Sequence, residues 1–267
     1  MNSVGELISK SEYNFEDFVE IIRILRAPGG CPWDMEQTHA SIRKNFIEET
    51  YEAIETIDKG DTEGLCEELG DVMLQVLLHA QMEAEQNTFD INDVVNGICK
   101  KLVYRHPHVF GHVSADDAQT VLKNWDNLKK VEKKQKSDTA VIASVSKALP
   151  ALMRAQKVQS KAAKVGMDFA GYADAKDRLI EEIGELDAAI ESGNGIEEEL
   201  GDMLFSAVNL ARFAGCDAEE ALTGATDKFV GRFAEVERLA AEQGKKLKEL
   251  SEKEADELWE LAKENLK

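Results

Sequence analysis

Proline and cysteine are scarce in this sequence, with four of each in 267 residues. So few prolines leave long stretches free to run as helix, and the good helix formers Ala, Leu, Glu and Lys are abundant. The cysteines, Cys31, Cys66, Cys99 and Cys216, are scattered without a CxxC pair. That excludes a disulfide scaffold or a cysteine zinc site and fits reduced thiols in a cytoplasmic protein. No apolar run approaches membrane-spanning length, so no membrane partner is expected. The opening residues, MNSVGELISKSEYNFEDF, have neither a basic start nor an apolar core, and no secretory signal is expected. Positive charge is also short: 32 Lys and Arg stand against 52 Asp and Glu, a formal net charge of −20. Without a basic stripe, a nucleic-acid polymer is excluded as the main partner. A small phosphorylated ligand is not, because metal ions and a few local cations can invert the field at one site. The chain also lacks GxxxxGK[ST], so any nucleotide is bound without a P-loop.

What the chain does have is acid at helical spacing. From Leu179 to Leu210 the sequence reads as two helices joined at Ser192-Gly193-Asn194-Gly195, where Gly and Asn supply the φ > 0 conformations of a helix stop. Glu182 and Glu185 share one face of the first helix, and Glu199 and Asp202 one face of the second, so folding the hairpin gathers four carboxylates. Ile183, Leu186, Ile190, Leu200, Met203, Leu204, Ala207 and Val208 form apolar stripes beside them, which predicts acids at the edge of a core. Like charges held so close raise one another's pKa unless a cation neutralises them. Mg²⁺, a hard ion with oxygen ligands, is the expected cofactor, with Mn²⁺ as a substitute.

An acidic run alone is usually a solvated face. Repetition argues otherwise. A helix predicted over Ser41 to Asp58 carries Glu48, Glu49 and Glu52, Lys59-Gly60-Asp61 breaks it, and a helix from Gly64 to Ala84 carries Glu68 and Asp71. ELGDVMLQ (68–75) mirrors ELGDMLFS (199–206), and residues 89–97 align without gaps to 216–224. The register then sets Lys101 and Arg105 over Lys228 and Arg232, and Trp125 and Lys129 over Trp259 and Lys263. The chain is therefore expected to be all-α, a tandem repeat of two helical-bundle domains, each a four-helix-like unit. The boundaries fall at 1–135 and 147–267, with a linker at 136–146. A helix from Phe15 to Leu25 is followed by a rigid, non-helical loop from Arg26 to Asp34, where Trp33 either serves a lid or packs inward. A further helix runs from Leu152 to Val165.

Each half thus offers an acidic quartet, a KxxxR pair and a WxxxK pair. Lys and Arg complement an anion, an indole stacks on a planar base, and a nearby Lys adds a phosphate or ribose contact. A magnesium-bound nucleoside polyphosphate fits all of them. In the second half the nucleotide-contacting set is Arg178, Glu182, Glu198, Glu199, Asp202, Lys228, Arg232, Trp259 and Lys263. Arg178 lies one turn before Glu182 on the same face, whereas its first-half counterpart is Asn45. The second half is therefore expected to be the main catalytic domain. The first, with Glu49, Glu52, Glu68 and Asp71 intact and with Lys101, Arg105, Trp125 and Lys129, is expected to be weaker, differently specific or regulatory. Glu181 or Glu182 is the candidate general base that takes the proton of an attacking water.

These residues resemble the MazG family of tandem-domain, all-α nucleoside triphosphate pyrophosphohydrolases. The resemblance spans nearly the whole chain: GGCPWD (29–34), EETYE (48–52), both ELGD motifs, YRHPHVF (104–110), KALPALMRAQK (147–157) and KFxxRFxEVE (228–237). It implies hydrolysis between the α- and β-phosphates of ribo- or deoxynucleoside triphosphates, with broad specificity and a role in nucleotide-pool control. It further implies that Glu182, Glu185, Glu199 and Asp202 ligate Mg²⁺, with Lys228, Arg232 and Trp259 at the nucleotide.

A di-iron carboxylate bundle also gathers acids from neighbouring helices but needs a histidine three residues after a glutamate. His39, His79, His106, His108 and His112 all lie in the first half, so the second quartet is not of that kind. His79 reads as a core residue, and His106 and His108 as loop residues. A non-catalytic helical nucleotide sensor or interaction scaffold remains the alternative, in which the acids only solvate the surface. Hairpins of this size leave apolar surface uncovered, so pairing is expected, between the two halves or as a homodimer.

Overall fold

The computed structural model describes residues 4–111 and 137–266. Trp125, Lys129, His112 and the first residue of the expected linker lie outside the described residues. The described residues are helices and connecting turns without a strand, and the chain divides into two compact units, Met1–Lys129 and Lys130–Lys267.

In the first unit, α1 (Val4–Ile8), α2 (Phe15–Arg26) and α3 (Pro32–Glu36) precede a long hairpin of α4 (Arg43–Lys59) and α5 (Thr62–Glu85), followed by α6 (Ile91–Arg105) and α7 (Pro107–Phe110). Local chemistry sets the breaks. Asn14 and Asp17 form a capping box that starts α2. Gly60, at φ 66°, stops α4, and the Asp61 carboxylate accepts from the Gly64 N–H at 3.0 Å to start α5. Ile22, Ile42, Leu77, Leu78 and Met82 make the core, with Phe18, Val19, Leu25, Leu74 and Ile91 against it.

Buried Arg26 pins the chain between α2 and α4. Its Nε and Nη2 donate to the two oxygens of Glu85 at 2.9 and 3.0 Å, and its Nη1 donates to the carbonyls of Asp34 and Gln37. The stretch expected to be wholly irregular is helical from Pro32, since proline at the first helical position already has the required φ and no N–H to satisfy. Trp33 does not pack inward; it is 59% exposed.

The second unit contains α8 (Asp138–Ala143), α9 (Ala151–Lys164), the hairpin α10 (Tyr172–Ser192) and α11 (Ile196–Phe213), then α12 (Ala218–Glu242), a 3-10 turn at Leu247–Glu249, and α13 (Glu252–Asn265). Most of the stretch expected to be a linker is thus α8. It is tied to α9, whose Lys161 Nζ donates to the Val141 carbonyl at 3.0 Å. Gly193 and Gly195 both lie in the left-handed region, at φ 68° and 78°, where a Cβ would be strained. Gln159 of α9 donates to the Phe205 carbonyl at 2.8 Å and holds α9 against α11. A second cluster, Val236, Ala240, Leu258 and Ala262, packs α12 on α13.

One expectation needs correction. The apolar stripe beside the second quartet is core only in part: Val208 is buried and Leu186, Met203 and Ala207 are half-buried, whereas Ile183, Ile190, Leu200 and Leu204 are exposed. Among the described residues the hairpin is covered through α11 by α9 and, to a lesser extent, by α12, which leaves these four side chains in solvent. The first hairpin shows the same pattern at Phe46, Ile47, Tyr51, Ile54 and Ile57.

Candidate active site

Each hairpin brings its acids together near the turn. Carboxylate oxygens of Glu182 on α10 and of Glu199 and Asp202 on α11 all lie within 4.8 Å of one another, as do those of Glu49 on α4 and Glu68 and Asp71 on α5. The fourth acid of each set borders its trio, since Glu185 is within hydrogen-bonding reach of Glu182 and Glu52 of Glu49. Of the sequence-selected residues, the two quartets are the groups the fold assembles most closely.

Electrostatics follow from that crowding. Burial pushes the Glu182 carboxyl up, Arg178 opposes this, and Glu185 and Asp202 add to it. Burial likewise raises Glu49, with Asp71, Glu52 and Glu68 contributing, and raises Glu68, with Glu52 and Asp71 next in weight. Glu182 is only 3% exposed, and its Oε2 has no hydrogen-bond partner. A buried carboxylate with one unpartnered oxygen, clustered with two other carboxylates, is what a hard divalent cation would satisfy. The donor set therefore fits such an ion.

Arg178 is engaged with the acids themselves. Its Nη1 stands 2.7 Å from Glu181 and its Nη2 2.6 Å from Glu182 Oε1 and 3.8 Å from Glu185. Exposed Glu198 lies beside Glu199 in the first turn of α11. Lys228 and Arg232 lie one turn apart on α12, and neither has an ion-pair partner among the described residues; the buried Nε of Arg232 has no hydrogen-bond partner. Unpaired cations in so acidic a chain are open to an anion. The Trp259 ring sits 5.3 Å from that of Phe229, one residue beyond Lys228, and packs partly into the α12/α13 core. Lys263 is held by Glu260 at 2.6 Å. Neither Lys228 nor Arg232 pairs with the quartet, so the acids on α10/α11 and the cations on α12 form two groups. In the first unit Lys101 is exposed and Arg105 half-buried on α6.

One polar cluster escaped the sequence reading. His39 and His79 are hydrogen-bonded Nδ1 to Nδ1 at 2.6 Å, and His39 Nε2 meets Glu83 at 2.9 Å. The imidazole planes differ by 2° with centroids 4.9 Å apart, a spacing that puts the rings edge to edge rather than face to face. His79 is thus hydrogen-bonded rather than simply packed, and the spacing of His79 and Glu83, one turn apart on α5, was the available signal.

Fold and site together define an all-α tandem repeat in which each helical hairpin presents an acidic cluster. The sequence model of the MazG nucleotide pyrophosphohydrolase domain matches twice, at residues 37–110 and 171–236. The nucleoside triphosphate pyrophosphohydrolase/pyrophosphatase MazG of Thermotoga maritima is 43% identical over 249 residues, covering 93% of this chain and 95% of that one. The nucleoside triphosphate pyrophosphohydrolase of Escherichia coli K12 is 42% identical over 249 residues, covering 91% and 94%. The uncharacterized protein YabN of Bacillus subtilis is 47% identical over 255 residues, 94% of this chain but 52% of its own length, so the chain spans about half of that relative. The chain belongs to the MazG nucleotide pyrophosphohydrolase family, hydrolases that act on phosphoric anhydrides. No helix among the described residues is long and apolar enough to cross a membrane.

Proposed function

We propose that this protein is a Mg²⁺-dependent nucleoside triphosphate pyrophosphohydrolase. It would cleave ribo- and deoxynucleoside triphosphates to the monophosphate and pyrophosphate, with broad base specificity, in control of nucleotide pools. The observation that carries this reading is that Glu182, buried and with its Oε2 orphaned, has a carboxylate oxygen within 4.8 Å of those of Glu199 and Asp202. Glu182, Glu199 and Asp202, with Glu185 beside them, hold the cation; Mn²⁺ suits the same oxygens. Bound there, it would neutralise phosphate charge and polarise the scissile anhydride.

The chain's own residues supply the rest. Lys228 and Arg232 bind the phosphates, Trp259 offers a ring face to the base, and a stacked indole tolerates any base. Because Glu182 is committed to the cation, Glu181 is the proton acceptor for the attacking water. The second domain, residues 147–267, is the main catalytic one, and the domain at 1–135 plays a weaker or regulatory part.

The exposed apolar faces of both hairpins support a homodimer, because a helix pair with one naked flank buries it most readily against a second copy. Pyrophosphate release from Glu185→Ala and Glu52→Ala, with wild type alongside, tests the assignment. Glu185→Ala is expected to abolish most turnover while Glu52→Ala retains most of it; equal losses would overturn the division of labour. Absence of Mg²⁺-dependent release from a panel of nucleoside triphosphates would favour the sensor or scaffold alternative.

A further inference from the structure

We propose that Arg178 is the resident counter-ion of the second quartet, and that it exchanges its carboxylates for phosphate when nucleotide arrives. Metal and triphosphate binding are then coupled more strongly at that site than at the first, beyond the coupling that direct phosphate–metal contact gives both. The proposal rests on the metal-binding reading above.

One guanidinium reaches three acids, with Nη1 at 2.7 Å from Glu181 and Nη2 at 2.6 Å from Glu182 and 3.8 Å from Glu185. It occupies Oε1 of Glu182 and leaves only Oε2 unpartnered. A divalent cation taking up Glu182 and Glu185 must share those oxygens with a fixed positive charge or displace it. Arg178 has room to leave, since its side chain is 37% exposed while that of Glu182 is 4% exposed. The planar fork that matches a carboxylate matches a phosphate equally well. A triphosphate entering beside the quartet therefore offers Arg178 a second partner and hands the carboxylates to the metal.

The first quartet has no such device. Asn45 stands at the matching position, and among the described residues no Lys or Arg pairs with Glu49, Glu52, Glu68 or Asp71. Burial and neighbouring acids raise Glu49 and Glu68, whereas at Glu182 Arg178 opposes the rise.

The test is calorimetric titration with Mg²⁺ alone, then with Mg²⁺ in the presence of a non-hydrolysable triphosphate analogue. The protein is the full chain with its first quartet silenced by Glu49→Gln and Glu68→Gln. Arg178→Gln is expected to tighten binding of Mg²⁺ alone by about tenfold, an ordinary coupling between two competing cations, and to reduce the enhancement by the analogue to that seen at the first site. Arg178→Lys should restore part of that enhancement. The reciprocal Asn45→Arg, in a chain with only the second quartet silenced, should weaken Mg²⁺ binding at the first site, which keeps a readout should Arg178→Gln fail to fold. Unchanged or weaker Mg²⁺ binding in a folded Arg178→Gln chain would overturn the counter-ion role while leaving the metal site standing. Absence of Mg²⁺ binding in both the parent and the variant would remove the metal site itself.

Discussion

Glu182→Gln isolates the role of one buried carboxylate without changing its shape. Glu182 is 3% exposed, with Oε1 on Arg178 at 2.6 Å, Oε2 unpartnered, and a carboxylate oxygen within 4.8 Å of those of Glu199 and Asp202. Burial disfavours its charge and Arg178 favours it, so the metal-free variant should melt close to the parent: relief of desolvation and loss of the pair largely cancel. The metal response should not survive. A cation that binds only the folded state at a hundredfold its Kd adds about 2.7 kcal/mol. For a unit of this size each kcal/mol moves the midpoint by roughly 4 °C, so Mg²⁺ should raise the second unit's midpoint by about 10 °C in the parent. Scanning calorimetry in Mg²⁺ and in chelator reads the difference, and Glu49→Gln identifies the transition that belongs to the first unit. An equal Mg²⁺ shift in parent and Glu182→Gln would refute the placement of the cation on this carboxylate.

Other expectations concern the frame and its titration. Arg26→Ala leaves the Asp34 and Gln37 carbonyls without their donor and Glu85 without its partner. The loss should be about 2 kcal/mol in a urea melt of the first unit, below the value for a wholly buried pair because Glu85 is partly exposed. At His79, burial and neighbouring His39 hold the imidazole pKa below its usual value. The folded chain therefore resists a proton that the unfolded chain accepts, and the first unit should lose stability as pH falls through about 6.5. His79→Gln should flatten that slope; an unchanged slope would place the titration elsewhere. In the second unit, Lys245 and the cap at Ser251 lower the Glu254 carboxyl to about 2. Its contribution is present above the ordinary carboxylate pKa and is lost as pH falls towards 2, and Glu254→Gln should move the acid midpoint of that unit upward.

Much of this was readable from spacing. Glu182 and Glu185, three apart, with Glu199 and Asp202 beyond a Gly-Asn-Gly turn, leave little freedom once both segments are helical, because i and i+3 share a face and a four-residue turn forces the helices antiparallel. The duplication fixed the fold class in the same way. Tertiary choices were less legible. Proline at position 32 reads as a helix stop or as a helix start, and only the anchoring of Asp34 and Gln37 by Arg26 selects the start. Arg178 on the acidic face reads as a phosphate contact, and the 2.6 Å distance to Glu182 shows that it pairs with the acids. The apolar stripe at Ile183, Ile190, Leu200 and Leu204 identifies a face that seeks cover, but periodicity is silent on whether the cover lies in the same chain.

The two hairpins differ less in their acids than in what surrounds them. Both gather carboxylate oxygens of three acids within 4.8 Å of one another at corresponding positions on either side of a glycine-bounded turn. The second adds a guanidinium across its acids; the first has Asn45 there and carries, between the turn before α4 and the later part of α5, the His39–His79–Glu83 chain that the histidine-free second half lacks. Since a hard cation responds to ligand charge and closeness, which the halves share, the differences act on what accompanies the cation. Charge at position 178 bears on when metal and phosphate bind, whereas the histidines bear on pH and on hydrogen bonding beyond the acids. Divergence between the halves should therefore show in coupling and pH response before it shows in the capacity to bind metal.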